Sequence, residues 1–214
     1  MKYIIMCGTN NPDFREPRQL TPINDEPIVA RTIRLLKAAG VADIAISSND
    51  KRFEGFGVPV LHHENNFNFW EHKGRWVEAF YPMEDSACYL CGDVVYSSQA
   101  IKTIVNTSTQ DIEFFASAPP FAKNYIKRWA EPFAFKVENQ KHFREAIELV
   151  KDFAEQGLFR REPIAWELWQ VIKQTPLNQI DYTNYTVIND YTCDIDEPLD
   201  AAKLQGRINE CQDI

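Results

Sequence analysis

The sequence predicts an α/β protein, a three-layer sandwich with a mostly parallel central sheet and a smaller mixed α+β region. Three observations point there. Short apolar runs alternate with helical periodicity through the first half of the chain, and the order strand, helix, strand, helix, strand implies a parallel sheet covered on both faces. The runs Ile4-Ile5-Met6-Cys7 and Cys88-Tyr89-Leu90-Cys91 are continuously apolar, as strands buried on both faces must be. At 214 residues a chain buries roughly 70% of the surface its unfolded form exposes, enough for a sizeable core.

The elements follow in order. Residues 2–7 read as a buried strand and residues 8–26 as a loop rich in Asn, Pro, Asp and Arg. Ile28, Val29, Thr32, Ile33, Leu35 and Leu36 recur at helical spacing, and Gly40 stands where that helix stops. Short strands follow at Ile44-Ala45-Ile46 and Pro59-Val60-Leu61. A helix is expected over 70–81, with Trp70, Trp76, Val77 and Phe80 on one side. The strand Cys88–Cys91 ends at Gly92-Asp93, and Ser97 or Ser98 caps a helix running through Val105.

The second half changes character. Strands are expected at Phe114-Phe115-Ala116, Phe133–Val137 and Tyr185–Ile188. An amphipathic helix over 140–155 turns Phe143, Ile147, Val150 and Phe153 inward and ends at Gly157; another covers 164–173. In the latter, Trp166 and Trp169 read as core and Glu167 as surface. A closing helix runs from Pro198, which suits a first turn, to about Ile208.

Composition excludes several classes. No window approaches the roughly 18 apolar residues of a membrane span, so no membrane association is expected. The N-terminal apolar run is too short for a signal-peptide core, which points to a cytoplasmic protein. The formal charge of −8 does not favour nucleic acid as a partner. Five cysteines in a reducing compartment read as free thiols. Cys88 and Cys91 have C-x-x-C spacing, but no second ligand pair completes a zinc site, so both read as core.

Open α/β sheets bind ligands beyond the C-terminal ends of their strands, and three polar clusters fall at such places. After the first strand comes a loop with Gly8, Arg15 and Arg18, whose backbone and guanidinium groups can hold phosphate oxygens. Gly92-Asp93 ends a buried strand. Asp194-Ile195-Asp196 precedes the last helix, where Asp196 could also serve as N-cap. Two carboxylate sites and a basic loop suggest a Mg²⁺–triphosphate site, since Mg²⁺ takes one or two carboxylates plus phosphate oxygens. His62, His63 and Asn65 follow another strand and could line a base or acceptor pocket; Lys127 and Arg128 could hold an acceptor phosphate.

The pattern resembles the nucleotidyltransferases of the GT-A-like fold, which form NDP-sugars and CDP-alcohols. Their opening motif stands here as Ile4-Ile5-Met6-Cys7-Gly8, Arg15, Pro17-Arg18-Gln19-Leu20 and Asp25-Glu26-Pro27-Ile28. Their metal aspartate matches Gly92-Asp93, and their closing motif matches Asp194-Ile195-Asp196-Glu197-Pro198-Leu199-Asp200. The likeness covers roughly 1–50, 85–106 and 190–205. Of the family's loop glycines Gly8 remains, and Arg18 stands in place of its lysine. A glycosyltransferase of the same fold would carry D-x-D where this chain reads Gly92-Asp93-Val94-Val95.

The resemblance implies one nucleotidyltransferase domain over 1–214. Within it 1–110 would bind nucleotide, 111–190 would face the acceptor, and 191–214 would close the metal motif. It implies transfer of an NMP, with CTP the favoured donor, to a phosphorylated small molecule with loss of pyrophosphate. The alternatives are a GT-A glycosyltransferase or a non-catalytic nucleotide-binding subunit. Arg15, Arg18 and Asp93 would be catalytic. Met6, Cys7, Gly8, Thr9, Arg15, Arg18, His62, Asn65 and Gly92 would bind nucleotide. Asp93 and Asp196 would hold Mg²⁺, Asp196 being preferred to Asp194 by alignment. Polysaccharide precursor biosynthesis and a homodimer would fit the family.

Overall fold

The structure, a computed structural model, describes residues 1–8, 13–64, 75–117 and 130–211. Among these residues a seven-stranded sheet forms the middle layer. In chain order its strands are β1 (Lys2–Met6), β4 (Ile44–Ser47), β5 (Val60–Leu61), β6 (Ala87–Cys91), β8 (Ile112–Ser117), β9 (Pro132–Val137) and β10 (Thr186–Ile188). Two small ribbons pair β2 (Pro22–Ile23) with β3 (Glu26–Pro27), and β7 (Val94–Val95) with β11 (Cys193–Asp194). The helices are α1 (Ile28–Ala38), α2 (Ser98–Asn106), α3 (Gln140–Glu155), α4 (Ala165–Lys173) and α5 (Pro198–Cys211).

The sheet order is β10-β8-β9-β6-β1-β4-β5. Pairing is parallel for β5–β4, β4–β1, β1–β6 and β8–β10, while β9 runs against both β6 and β8. Six strands therefore point one way, as the sequence predicts, and β9 is reversed. The chain leaves β1 toward β4 and β5 and then returns to place β6 on the other side of β1. That reversal opens a crevice between the C-terminal ends of β1 and β6, the place where such sheets take ligands.

Alternation along the strands divides the core. Tyr3, Ile5, Cys7, Cys88 and Leu90 face a layer with α1 and α2. Ile4, Met6, Ala87 and Tyr89 face the opposite layer with α3 and α4. Both layers are buried, which is why these strands are apolar throughout. Cys88 is buried and Cys91 partly so, and both are free thiols. At positions three apart on a strand they point to opposite faces, so the C-x-x-C spacing here converges on nothing.

Local chemistry explains the helix ends. Gly40 takes φ +86° just beyond α1, a left-handed conformation that glycine adopts without strain. Ser97 caps α2 by accepting from the Ala100 N–H at 2.8 Å. At the other end of α2 the buried Lys136 ammonium donates to the carbonyls of Ile104, Val105 and Thr107 at 3.1, 2.9 and 2.6 Å, meeting acceptors the helix itself cannot satisfy.

Three expectations need correction. The helix over 70–81 is a 3-10 turn at Arg75–Ala79, with 70–74 outside the described residues. Pro82 favours this early stop, because the residue before a proline is pushed out of helical conformation. Within the expected 8–26 loop lie a 3-10 turn at Arg18–Leu20 and the β2–β3 hairpin. Asn24 and Asp25, both at positive φ, make the two-residue turn of that hairpin. Glu167 is not at the surface: it is 4% exposed, accepts from the Ile164 N–H at 3.0 Å and pairs with Arg161 at 2.7 Å. It serves the first turn of α4. Trp166 and Trp169 are core, each 2% exposed.

Candidate active site

The crevice begins with a close approach. Gly92 donates its N–H to the Met6 carbonyl at 3.1 Å. A Cβ on Gly92 would stand 2.2 Å from that carbonyl oxygen and 2.9 Å from the Cys7 sulfur, so glycine is required here. The contact brings the ends of β1 and β6 together and projects Asp93 from the sheet edge.

The β7–β11 ribbon then brings in the late acidic motif. Asp194 pairs with Val94, and Ile195 donates its N–H to the Asp93 carbonyl at 3.1 Å. Asp93 and the Asp194-Ile195-Asp196 run are thereby fixed side by side. Asp200 accepts from the N–H groups of Asp196 and Glu197 at 3.1 and 3.2 Å, which serves the start of α5 and leaves the Asp196 carboxylate to a different partner.

That partner is Arg18. Its guanidinium lies 2.7 Å from Asp93 through Nη2 and 3.0 Å from Asp196 through Nη1. Nη1 also donates to the Ile195 carbonyl at 2.9 Å. The Arg18 side chain is 9% exposed, against 18% for Asp93 and 43% for Asp196. Burial works against its charge, yet Asp93, Asp196 and Asp194 together raise its pKa above the ordinary arginine value. Nearby, burial and the Asp93 charge push the Cys7 thiol well up. Burial does the same to Cys91, beside Asp93, Asp194 and Glu131. Both sulfurs stay protonated, so neither is a nucleophile at neutral pH.

Glu131, Asp194 and Asp196 bring carboxylate oxygens within 4.8 Å of one another. Hard oxygen donors at this spacing suit Mg²⁺ or another hard divalent cation, and the guanidinium already seated between Asp93 and Asp196 marks the place as one for positive charge. Glu131 is not among the residues expected from the sequence. The register pairs Leu90 with Ala134, so Glu131, three before Ala134, is level with Asp93, three after Leu90. Because β9 is antiparallel, its start meets the parallel strands' ends. An acidic residue just before Pro132 was the signal, readable only with that reversal known.

The other expected residues are placed as follows. Met6, Cys7 and Gly8 are buried at the end of β1. Arg15 is exposed on the following loop, and His62 is exposed just past β5. His63 sits 2.9 Å from the Glu78 carbonyl through Nε2 and lines a cavity of about 530 Å³ with Tyr81, Phe143 and Arg144, on the α3 layer rather than beside Arg18. Thr9, Asn65, Lys127 and Arg128 lie outside the described residues.

No family model matches the sequence, and no curated protein is significantly similar to it. Solved structures are similar over nearly the whole chain. The inositol-1-phosphate CTP transferase from T. maritima has a TM-score of 0.55 at 13% identity, covering 98% of this chain and 96% of its own. A protein assigned as a glucose-1-phosphate thymidylyltransferase from Bacillus anthracis has a TM-score of 0.57 at 14% identity, covering 96% and 94%. The CTP:phosphocholine cytidylyltransferase from Streptococcus pneumoniae has a TM-score of 0.53 at 15% identity, covering 96% and 97%.

The fold is that of these nucleotidyltransferases. A fold carries many chemistries; what bears on activity here is the Arg18 cluster. Among the described residues no helix is long and apolar enough to cross a membrane.

Proposed function

We propose that the chain is a nucleotidyltransferase that moves an NMP, CMP by preference, from an NTP to a phosphorylated small molecule. The observation that carries this reading is the meeting of Arg18, Asp93 and Asp196 at the switch point of a nucleotidyltransferase fold. The similar structures support the substrate class. Two are named for CTP, and the named acceptors, inositol-1-phosphate, glucose-1-phosphate and phosphocholine, are all phosphomonoesters.

In this reading an acceptor phosphate oxygen attacks the α-phosphorus of the NTP. The bond from the α-phosphorus to its bridging oxygen breaks, and pyrophosphate leaves. Asp93 and Asp196, with Asp194 and Glu131 at hand, would hold Mg²⁺, which neutralises phosphate charge when bound. Met6 to Thr9 and Gly92 would shape the nucleotide site, with His62 and Asn65 near the base. Arg15 and Arg18 would bind triphosphate oxygens, and Lys127 and Arg128 the acceptor phosphate. Such a site works by positioning and electrostatics.

A thermal-shift panel of CTP, UTP, dTTP, ATP and GTP with Mg²⁺ tests the donor. A ligand at 100 times its Kd adds about 2.7 kcal/mol of folded-state stability. CTP is expected to raise Tm above the others, with the shift lost in Asp93→Asn. A flat panel contradicts the reading.

A further inference from the structure

We propose that Arg18 is the resident cation of the carboxylate cluster: in the nucleotide-free protein its guanidinium and a divalent cation compete for Asp93 and Asp196. The inference deepens the nucleotidyl-transfer reading and rests on it for the nature of the cation.

The geometry is that of a built contact. One guanidinium spans both carboxylates, with Nη2 on Asp93 at 2.7 Å and Nη1 on Asp196 at 3.0 Å. A third bond to the Ile195 carbonyl at 2.9 Å anchors it to the β11–α5 connection. The residue is 8% exposed, unlike a surface pair that solvent exchanges freely. Planar, weakly hydrated and forked, arginine can bridge two acids at once, where the compact ammonium of a lysine acts as a point charge. An oxygen lone pair that accepts from the guanidinium is not open to a metal at the same time.

Charge counting explains why the arrangement is poised. Asp93, Glu131, Asp194 and Asp196 can contribute up to four negative charges, and Arg18 contributes one positive charge against them. The cluster keeps a net attraction for a doubly charged cation, yet two of its acids are engaged. Triphosphate oxygens offer the guanidinium another partner. Nucleotide therefore frees the acids for metal, and by linkage metal raises nucleotide affinity in the same proportion. The nucleotide-free protein should bind metal weakly for this reason.

The test uses nucleotide-free protein, Mn²⁺ as probe, and electron paramagnetic resonance to count free ion. Arg18→Met is expected to bind Mn²⁺ roughly ten-fold more tightly than wild type. Its Tm without divalent ions should fall by roughly 5 °C as the acids repel. MgCl₂ should restore that Tm, and KCl of equal ionic strength should not. Arg18→Lys keeps the charge without the fork and should bind Mn²⁺ with intermediate affinity; it carries the test if Arg18→Met does not fold. Adding Asp93→Asn to either variant should erase the gain. Unchanged or weaker Mn²⁺ binding in both variants overturns the proposal. Tightened Mn²⁺ binding in a protein that releases no pyrophosphate keeps this inference and refutes the transfer reading. An active transferase whose Arg18 variants bind Mn²⁺ as wild type does the reverse.

Discussion

Arg18 and Asp93, far apart in the chain, meet at 2.7 Å, and the contact joins the loop after β1 to the end of β6. The acid is thereby held in one orientation at the sheet edge. Asp93→Asn keeps the side-chain shape and removes the charge. It is expected to lower pyrophosphate-releasing turnover by roughly 10²–10³, the usual cost of losing one electrostatic contact to a transition state. Circular dichroism should show an unchanged fold. Wild-type turnover in this variant would contradict its assigned role.

Gly92 makes a second, steric prediction. An added methyl would stand 2.2 Å from the Met6 carbonyl oxygen, so one of the two strand ends must move. Gly92→Ala is expected to cost about 1–3 kcal/mol, as overpacking does, and at about 2–4 °C per kcal/mol the Tm loss is readable by calorimetry. Turnover should fall further than stability explains, because Asp93 moves with the strand end. An unchanged Tm would show that β1 and β6 are not packed this closely.

Much of this was legible in the chain, and the exceptions share a cause. Continuous apolar runs mark β1 and β6, Gly40 marks the end of α1, and the Ser97-Ser98 pair marks the start of α2, where the structure selects Ser97 as the cap, because each depends on neighbours in sequence. The reversal of β9 depends on which strand it joins, and no local residue states that. The place of Glu131 beside Asp93 depends on the same reversal. Glu167 followed the habit of acids to be exposed, but the Ile164 N–H and Arg161 hold it inside. From its loop alone Arg18 reads as a phosphate ligand. Its carboxylate partners lie at distant positions, so its second role emerges only from the fold.

Lys136 predicts a stability effect away from the site. Its ammonium answers three carbonyls at the end of α2. Lys136→Met leaves them without that donor at a mostly buried position and should cost about 1.5–3 kcal/mol, the range for hydrogen bonds to a charged group. Hydrogen exchange should speed up first in the last turn of α2. Unaltered exchange there would contradict the capping role.

Alkaline pH should destabilise the fold. Burial pushes the Cys88 thiol up to about 12 from an ordinary value of 9.0, opposed only in part by Lys136, and it raises Cys7, Cys91 and Tyr96 well above their usual values. Groups with a raised folded-state pKa give stability that is complete below the unfolded pKa and lost as pH climbs through the folded one. Tm should therefore hold to about pH 9 and fall toward pH 12. A Tm that stays level to pH 11 would mean these groups are not buried as described.

We assign nucleotidyl transfer to the Arg18–Asp93–Asp196 cluster. Its most direct measurement is pyrophosphate release from CTP and Mg²⁺ across a panel of phosphorylated alcohols and sugars, for wild type and Asp93→Asn. The expected release requires one of these acceptors, yields a CDP-linked product by mass spectrometry and collapses in the variant. Release at the same rate in Asp93→Asn, or none from any NTP with any phosphomonoester, would contradict it.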